Sequence, residues 1–184
     1  AVSHLQILEL LESQAPGAIK VWLYTPDSPE DGTRRFTIYR IDRPITISTV
    51  LPILHDLGVE VIDERAYDLR RKGKPVAWVY DFGLNFDESK VPEQDSLSER
   101  FCSTFVATWH GEVDSDPFNG LVIKAGLSAR NVGIIRAYAA YLRQAGSPFS
   151  QGYLQQVLMA NINIVQYLVQ LFAVRFSPEL DQER

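Results

Sequence analysis

The sequence contains a single cysteine, Cys102, among 184 residues. One cysteine excludes an internal disulfide and any thiolate cluster for zinc. Because unpaired thiols are typical of reducing compartments, we expect a cytoplasmic location. The sequence also lacks an apolar run of the roughly 20 residues that a membrane-spanning helix needs. We therefore expect no membrane partner.

The sequence has no excess of basic charge. It carries 18 lysines and arginines against 23 aspartates and glutamates, which gives a net charge of −5. An acidic protein repels the phosphate backbone, so nucleic acid is not an expected partner. Four arginines lie close together in the sequence, and this leaves a local basic patch as an alternative: Arg34, Arg35, Arg40 and Arg43.

Motifs for nucleotide and metal binding are also missing. The sequence has neither a Gly-x-Gly-x-x-Gly pattern after a strand nor a phosphate-binding Gly-x-x-x-x-Gly-Lys-Ser/Thr loop. Its three histidines lie in different predicted elements without metal-ligand spacing: His4, His55 and His110. We therefore expect no cofactor and no metal ion in this chain.

Two acidic pairs are the remaining candidates for acid-base chemistry or cation binding: Asp63 with Glu64, and Asp114 with Asp116. Asp63 and Glu64 point to opposite faces if their strand is regular. Asp116 lies where a loop leads into a helix, which favours a capping role. Cys102 lies on the predicted buried side of a helix with no histidine beside it to activate the thiol. We therefore predict no catalytic residue.

The first half of the chain predicts two strands, a helix, two further strands and a second helix. The alternation in 19–24 and 35–41 indicates a hairpin with a long loop. Thr46 opens a helix that ends at Gly58, and strands follow near 59–67 and 76–86. A helix is expected over 97–111. Right-handed crossovers would place both helices on one face of an antiparallel sheet. We predict an α+β, ferredoxin-like fold in a circularly permuted ββαββα order.

Residues on either side of this unit predict further helices. An amphipathic helix is expected over 3–13, with Leu5, Ile7, Leu8 and Leu11 on its apolar side. After residue 116 we expect a short helix or turn at 120–126, a helix capped by Ser128, a third helix around 153–158 and a fourth over 163–176. Short links imply that consecutive helices are antiparallel neighbours. The predicted parts are 1–17, 18–112 and 113–184, and the form of both ends predicts a piece of a longer polypeptide.

Aromatic side chains on the sheet form a further candidate site. If Ile19 and Phe36 pack under the helices, Trp22, Tyr24 and Tyr39 lie on the opposite face. Large aromatic side chains on an open sheet face need cover, so we predict that these three contribute to an interface. An RNA base-stacking platform is the alternative, and the acidic charge argues against it.

Several long motifs carry a family resemblance. They occupy residues 35–40, 47–67, 109–112, 116–122, 125–127, 135–146, 148–151 and 168–176. In these motifs the chain resembles the third ACT-type domain, and the helical segment after it, of the large bacterial NAD-specific glutamate dehydrogenases. The resemblance covers nearly the whole chain from about residue 18.

The resemblance implies a regulatory and scaffolding segment that precedes the catalytic domain of such enzymes. Their reaction is the oxidative deamination of L-glutamate to 2-oxoglutarate, and their catalytic lysine and NAD fold belong downstream. It also implies other domains of the parent chain as partners and a homo-oligomer as a candidate assembly.

ACT domains often bind amino acids at the loop between the first strand and the helix. An amino-acid sensor is therefore the alternative function. The corresponding residues here are Arg43, Ile45, Thr46 and Ser48. Arg43 could pair with a ligand carboxylate, and the N-terminus of the following helix would favour the same anion. The loop lacks the glycine that many ACT domains use.

Overall fold

The computed structural model describes residues 7, 9, 11, 17–28, 33–41, 43–92 and 96–176. Ile7, Glu9 and Leu11 have helical backbone conformation. The rest of the helix predicted over 3–13 lies outside the described residues, as do His4, Asp42 and residues 177–184.

Four strands form one antiparallel sheet: β1 (Ile19–Tyr24), β2 (Arg34–Ile41), β3 (Glu60–Leu69) and β4 (Ala77–Asn85). Their spatial order is β1-β2-β4-β3. This is the order of a ferredoxin-like sheet whose last strand has been moved to the start of the chain. The circularly permuted ββαββα fold is therefore confirmed.

Two helices cover one face of this sheet. Helix α1 spans Ile47–Asp56 and helix α2 spans Leu97–Trp109, with a short 3₁₀ turn at Glu88–Lys90 before α2. Phe36 of β2 is fully buried beneath α2, where its ring meets those of Phe101 and Phe105 edge to face at 5.3 and 4.7 Å between centroids. The period-two alternation of β2 therefore correctly predicted which face of this strand the helices cover.

The second half of the chain is helical. It contains a 3₁₀ turn at Pro117–Gly120, then α3 (Leu121–Lys124), α4 (Ala129–Gln144), α5 (Gln151–Ala160) and α6 (Ile162–Phe176). The predicted cap at Ser128 is confirmed, since its hydroxyl oxygen accepts a hydrogen bond from the amide of Asn131. Ser150 caps α5 in the same way through the amide of Tyr153.

The prediction that consecutive helices run antiparallel is wrong for α5 and α6. Their axes meet at 100°. Only Asn161 separates them, and a single residue cannot reverse the direction of the chain. Leu154 of α5 and Val165 of α6 are buried, whereas Tyr153 and Val157 of α5 are exposed.

No single helix among the described residues is long and apolar enough to cross a membrane. The bent pair of α5 and α6 passes the same test of length and composition only when its two helices are taken together.

One hydrophobic core runs from the sheet into the helical segment. It includes buried residues of β2, α1 and α2, and it continues through Phe118 and Leu121 to Val132, Leu154 and Val165. The two halves meet closely where Gly58 faces Gly120: a Cβ at Gly58, whose φ is +82°, would lie 3.5 Å from the Gly120 Cα. The core therefore contains residues from both sides of the predicted boundary between residues 112 and 113. The position of that boundary stays a prediction.

A partly buried polar network fixes the start of the helical segment. The Arg136 guanidinium donates to the Asp116 carboxylate through Nε at 2.7 Å and Nη2 at 3.0 Å. Nη2 also donates to Asn119 Oδ1 at 3.0 Å, and the fully buried Asn119 donates to the carbonyl of Asp114 at 2.9 Å. Asp116 caps the 3₁₀ turn by accepting from the amide of Phe118. The network ties α4 to the loop that leaves α2.

Replacing Arg136 should destabilise the whole unit. Arg136→Ala leaves a partly buried carboxylate and a buried amide without their shared donor, so the free energy of unfolding should fall by about 2–3 kcal/mol. Urea unfolding followed by circular dichroism measures the change. The matched control is Arg70→Ala, which removes an exposed ion pair with Asp68 and should change stability by less than about 0.5 kcal/mol. Equal stability of both variants would contradict a structural role for the network.

Candidate functional site

The loop between β2 and α1 carries the residues predicted to bind an amino acid. Arg43, Thr46 and Ser48 are exposed, whereas Ile45 is buried and its amide donates to the Tyr80 hydroxyl at 3.0 Å. Thr46 precedes α1 but makes no side-chain capping bond. The structure thus brings three of the four residues to the surface at a helix N-terminus and uses the fourth to anchor the loop on β4.

Two buried donors near this loop were missed by sequence analysis. Arg40 and Trp78 face each other across the β2–β4 register. Arg40 Nε and Trp78 Nε1 are both buried, and neither has a hydrogen-bond partner in the structure. Unpartnered buried donors are unusual in a folded protein. These two donors belong to residues paired across adjacent strands, and Arg40 lies three residues before Arg43 in the sequence. Together they form a group that suits a hydrogen-bond acceptor.

The charges around Arg40 also favour the binding of an anion. Burial lowers the pKa of Arg40, the positive charge of Arg43 lowers it further, and Tyr80 opposes the change. The Arg40 guanidinium also lies over the Trp109 ring, 5.7 Å from its centroid. Two cations that repel each other beside unpartnered donors are stabilised when an anion binds between them.

The sheet face opposite the helices carries the predicted aromatic residues. Trp22 stacks on Tyr24 with ring centroids 4.8 Å apart, and both are partly buried. Tyr39 is fully buried in a second small cluster with Ile41 and Val79, in which Leu11 also takes part. Residues 118–176 contribute nothing to that cluster. The interface role of the three aromatics stays a prediction, and only Trp22 and Tyr24 keep surface that a partner could reach.

The other half of this face holds a charged network. The Arg35 guanidinium is 2% exposed, and it donates to Asp81 at 2.6 Å and to Asp63 at 3.0 Å. Thr37 donates to the same Asp81 carboxylate at 2.9 Å. Burial lowers the pKa of Arg35, but the carboxylates outweigh it and raise the pKa above its ordinary value. This network joins β2, β3 and β4 across the sheet.

The four arginines that are close in sequence do not form a basic patch. Arg34 pairs with Glu88, and Arg35 is neutralised on the outer face. Arg40 lies on the face covered by helices, and Arg43 lies in the loop. Alternation along β2 separates neighbours in sequence onto opposite faces.

The remaining candidates for chemistry occupy structural positions. Asp63 binds Arg35 and accepts from the amide of Gly83 at 3.0 Å, and Asp116 binds Arg136. Burial raises the pKa of the Cys102 thiol to about 11, so little thiolate exists at neutral pH. The described residues contain no group of three or more histidine, cysteine and acidic side chains that could hold a metal ion.

Comparison with known families gives two adjoining matches. Residues 18–97 match the model described as glutamate dehydrogenase, ACT3 domain. Residues 113–178 match the model described as glutamate dehydrogenase, helical motif 3. The first match contains the four strands and α1, and the second contains all helices from α3 to α6.

Individual relatives give the same result. An NAD-specific glutamate dehydrogenase from Mycobacterium tuberculosis is 37% identical over 86% of this chain, and one from Pseudomonas aeruginosa is 36% identical over 96%. A third from Halomonas elongata is 35% identical over 97%. The chain spans only 10–11% of the length of these relatives.

The buried Tyr39 phenol should make stability sensitive to alkaline pH. Burial raises the pKa of Tyr39 to about 12 from an ordinary 10.0. Between these values the unfolded chain loses the proton and the folded chain retains it, so stability that is complete below pH 10 falls as the pH rises. Tyr39→Phe should lose less stability over this window than the wild type does, measured as the urea midpoint. Tyr141→Phe, at an exposed tyrosine, should follow the wild type. Identical pH slopes for all three proteins would contradict the burial effect.

Proposed function

We propose that this chain, which belongs to the glutamate dehydrogenase family through its ACT3 domain and its helical motif 3, is a non-catalytic scaffolding and regulatory segment of a larger enzyme. Its relatives are named NAD-specific glutamate dehydrogenases. The parent reaction is then the NAD-dependent oxidative deamination of L-glutamate to 2-oxoglutarate. On this proposal the NAD site and the catalytic groups lie in other parts of the parent polypeptide, and the enzyme acts in the cytoplasm.

The observation that carries the proposal is that the acidic candidates Asp63 and Asp116 are paired with arginines of the same fold. Arg35 joins three strands through Asp81 and Asp63, and Arg136 joins α4 to the preceding loop through Asp116. Each carboxylate therefore stabilises a folding contact and accepts at least one hydrogen bond from an arginine. A general acid or base needs instead a carboxyl group that is free to exchange a proton with a substrate. The pairing of these charges supports a structural rather than a catalytic role for the segment.

The continuous core explains how such a segment would act. Because the sheet and the helices share one core, a displacement of either is transmitted to the other rather than absorbed by a flexible link. A rigid two-part unit can hold other domains of the parent chain at a fixed spacing. A homo-oligomer built through this unit is part of the same proposal.

An amino-acid sensor is the second candidate, and the Arg40 and Trp78 donors favour it. A ligand carboxylate could accept from Arg40 Nε or Trp78 Nε1 while pairing with Arg43, which would remove the repulsion between the two cations. Thr46 and Ser48 lie at the start of α1, where the helix dipole favours a negative group. In this function the effector would stabilise one position of the loop.

The purified segment should show no glutamate-dependent reduction of NAD. The full-length polypeptide, assayed at the same molar concentration, is the positive control. Turnover by the segment that a mutation at Asp63 or Asp116 abolishes would refute the non-catalytic assignment and identify the acidic pairs as its source.

Titration calorimetry with the twenty amino acids tests the sensor. If one binds, Arg43→Met should weaken its affinity by about tenfold or more, because a charge-assisted pair is lost. Arg70→Met, at an exposed arginine of the β3–β4 turn, should leave the affinity unchanged. Absence of heat with every amino acid would eliminate the sensor and leave scaffolding as the surviving function.

A further inference from the structure

Helix α6 has two apolar faces. One face packs into the core: Val165 is fully buried, and Leu168, Val169 and Ile162 pack against it. The opposite face is also apolar and lies open. It consists of Ile164, Tyr167, Leu171 and Val174, which are between 51% and 69% exposed. We refer to these four residues as the outer seam.

The spacing of the outer seam is that of a helix-pairing surface. Its residues follow one another at intervals of three, four and three positions. Side chains at this spacing form a single line along an α-helix, and a second helix packs its own side chains between them. Ten residues at 1.5 Å each give a contact line of about 15 Å, or nearly three helical turns. A helix that needed only to cover the core would carry polar residues here.

The sequence that leads to and carries the outer seam is poor in charge up to Val174, after which Arg175 follows. No residue from Gln144 to Val174 is charged. Ten of the fourteen large hydrophobic side chains that are exposed in the described part of the chain lie between Tyr141 and Phe176. Aromatic enrichment and charge depletion characterise the centre of an interface rather than a surface in contact with water.

A separate apolar groove lies on the other side of α6, where Phe172 and Phe176 continue the stripe of Val165 rather than the outer seam. It lies between α4 and α6 and has a volume of about 290 Å³. Ile134, Tyr138 and Tyr141 line it from α4, and Phe172 and Phe176 line it from α6. The Tyr138 and Phe172 rings that line it are nearly perpendicular, with centroids 6.3 Å apart.

We propose that the outer seam docks a helix with an uncharged apolar stripe that belongs to the remaining polypeptide of the same dehydrogenase chain. This inference rests on the proposed function, because it takes the segment as part of that enzyme. This chain covers only 10–11% of the length of the matched relatives, so most of such a polypeptide lies outside it. A covalently linked helix reaches the seam at an effective concentration that a free partner or a second copy rarely attains.

Photo-crosslinking in the full-length polypeptide tests the occupant directly. A benzoylphenylalanine replaces Tyr167, and the crosslinked peptides are identified by mass spectrometry. We expect a crosslink to a helix of the same polypeptide outside residues 1–184. The same probe in place of Arg70, a highly exposed residue of the β3–β4 turn, should give no such crosslink. A crosslink from 167 to residues 162–176 of a second copy, or none at all, would overturn the proposal.

A variant of the seam gives an independent measurement. Tyr167→Gln with Leu171→Gln changes two exposed side chains and should leave the core of the segment intact. In the full-length polypeptide, amide hydrogen exchange across 162–176 should accelerate by about tenfold as the docked helix leaves. The matched pair Tyr67→Gln and Ile62→Gln, which alters two exposed apolar residues of β3, should not change it.

These measurements distinguish failure of the docked-helix proposal from failure of the proposed non-catalytic function. Unchanged exchange in the seam variant, or binding of the wild-type polypeptide to neutral phosphatidylcholine vesicles that the variant loses, would refute a docked helix. Neither result bears on whether the segment catalyses NAD reduction, which the turnover assay measures by itself.

Discussion

The shared hydrophobic core is the constraint on which the rest of this structure depends. The sheet buries Phe36 against Phe101 and Phe105 of α2, and the same core continues to Phe118 and Val132 in the helical segment. A four-stranded sheet with two helices covers only one of its faces well, and the helical segment would be too small to bury a core alone. Each part supplies apolar surface that the other lacks, so they form one unit.

Close backbone packing makes this arrangement specific. Gly58 ends α1 with a positive φ, and Gly120 lies opposite it. A Cβ at Gly120 would lie 2.9 Å from the terminal methyl group of the flexible Met159 side chain, which would have to move aside, and 3.9 Å from the Gly58 Cα. The Arg136 network fixes the same region with directional hydrogen bonds. Apolar burial brings the two halves together, and these contacts determine their orientation.

Three surfaces remain for function, and they differ in character. The loop after β2 combines cations with unpartnered donors, which suits a small anion. The outer sheet face is partly covered by Leu11 and partly neutralised by the Arg35 network, which leaves the stacked Trp22 and Tyr24. The outer seam of α6 is uncharged and apolar, which suits a helix. The proposed effector loop uses the first of these surfaces and the proposed docked helix the third, while the stacked Trp22 and Tyr24 stay a predicted interface.

The sequence alone determined the elements and the sheet, because hydrophobic periodicity is a local property. Period two in β2 assigned Phe36 and Tyr39 to opposite faces, and Ser128 and Gly58 marked helix ends through their own backbone and capping chemistry. The tertiary structure decided what depends on residues distant in sequence. Strand pairing makes Arg40 and Trp78 neighbours. Asp63 and Asp116 have structural roles because they pair with arginines that lie 28 and 20 residues away in the sequence. Helix α5 meets α6 at 100° because only Asn161 joins them. No local pattern contains these pairings, since long-range packing selects them.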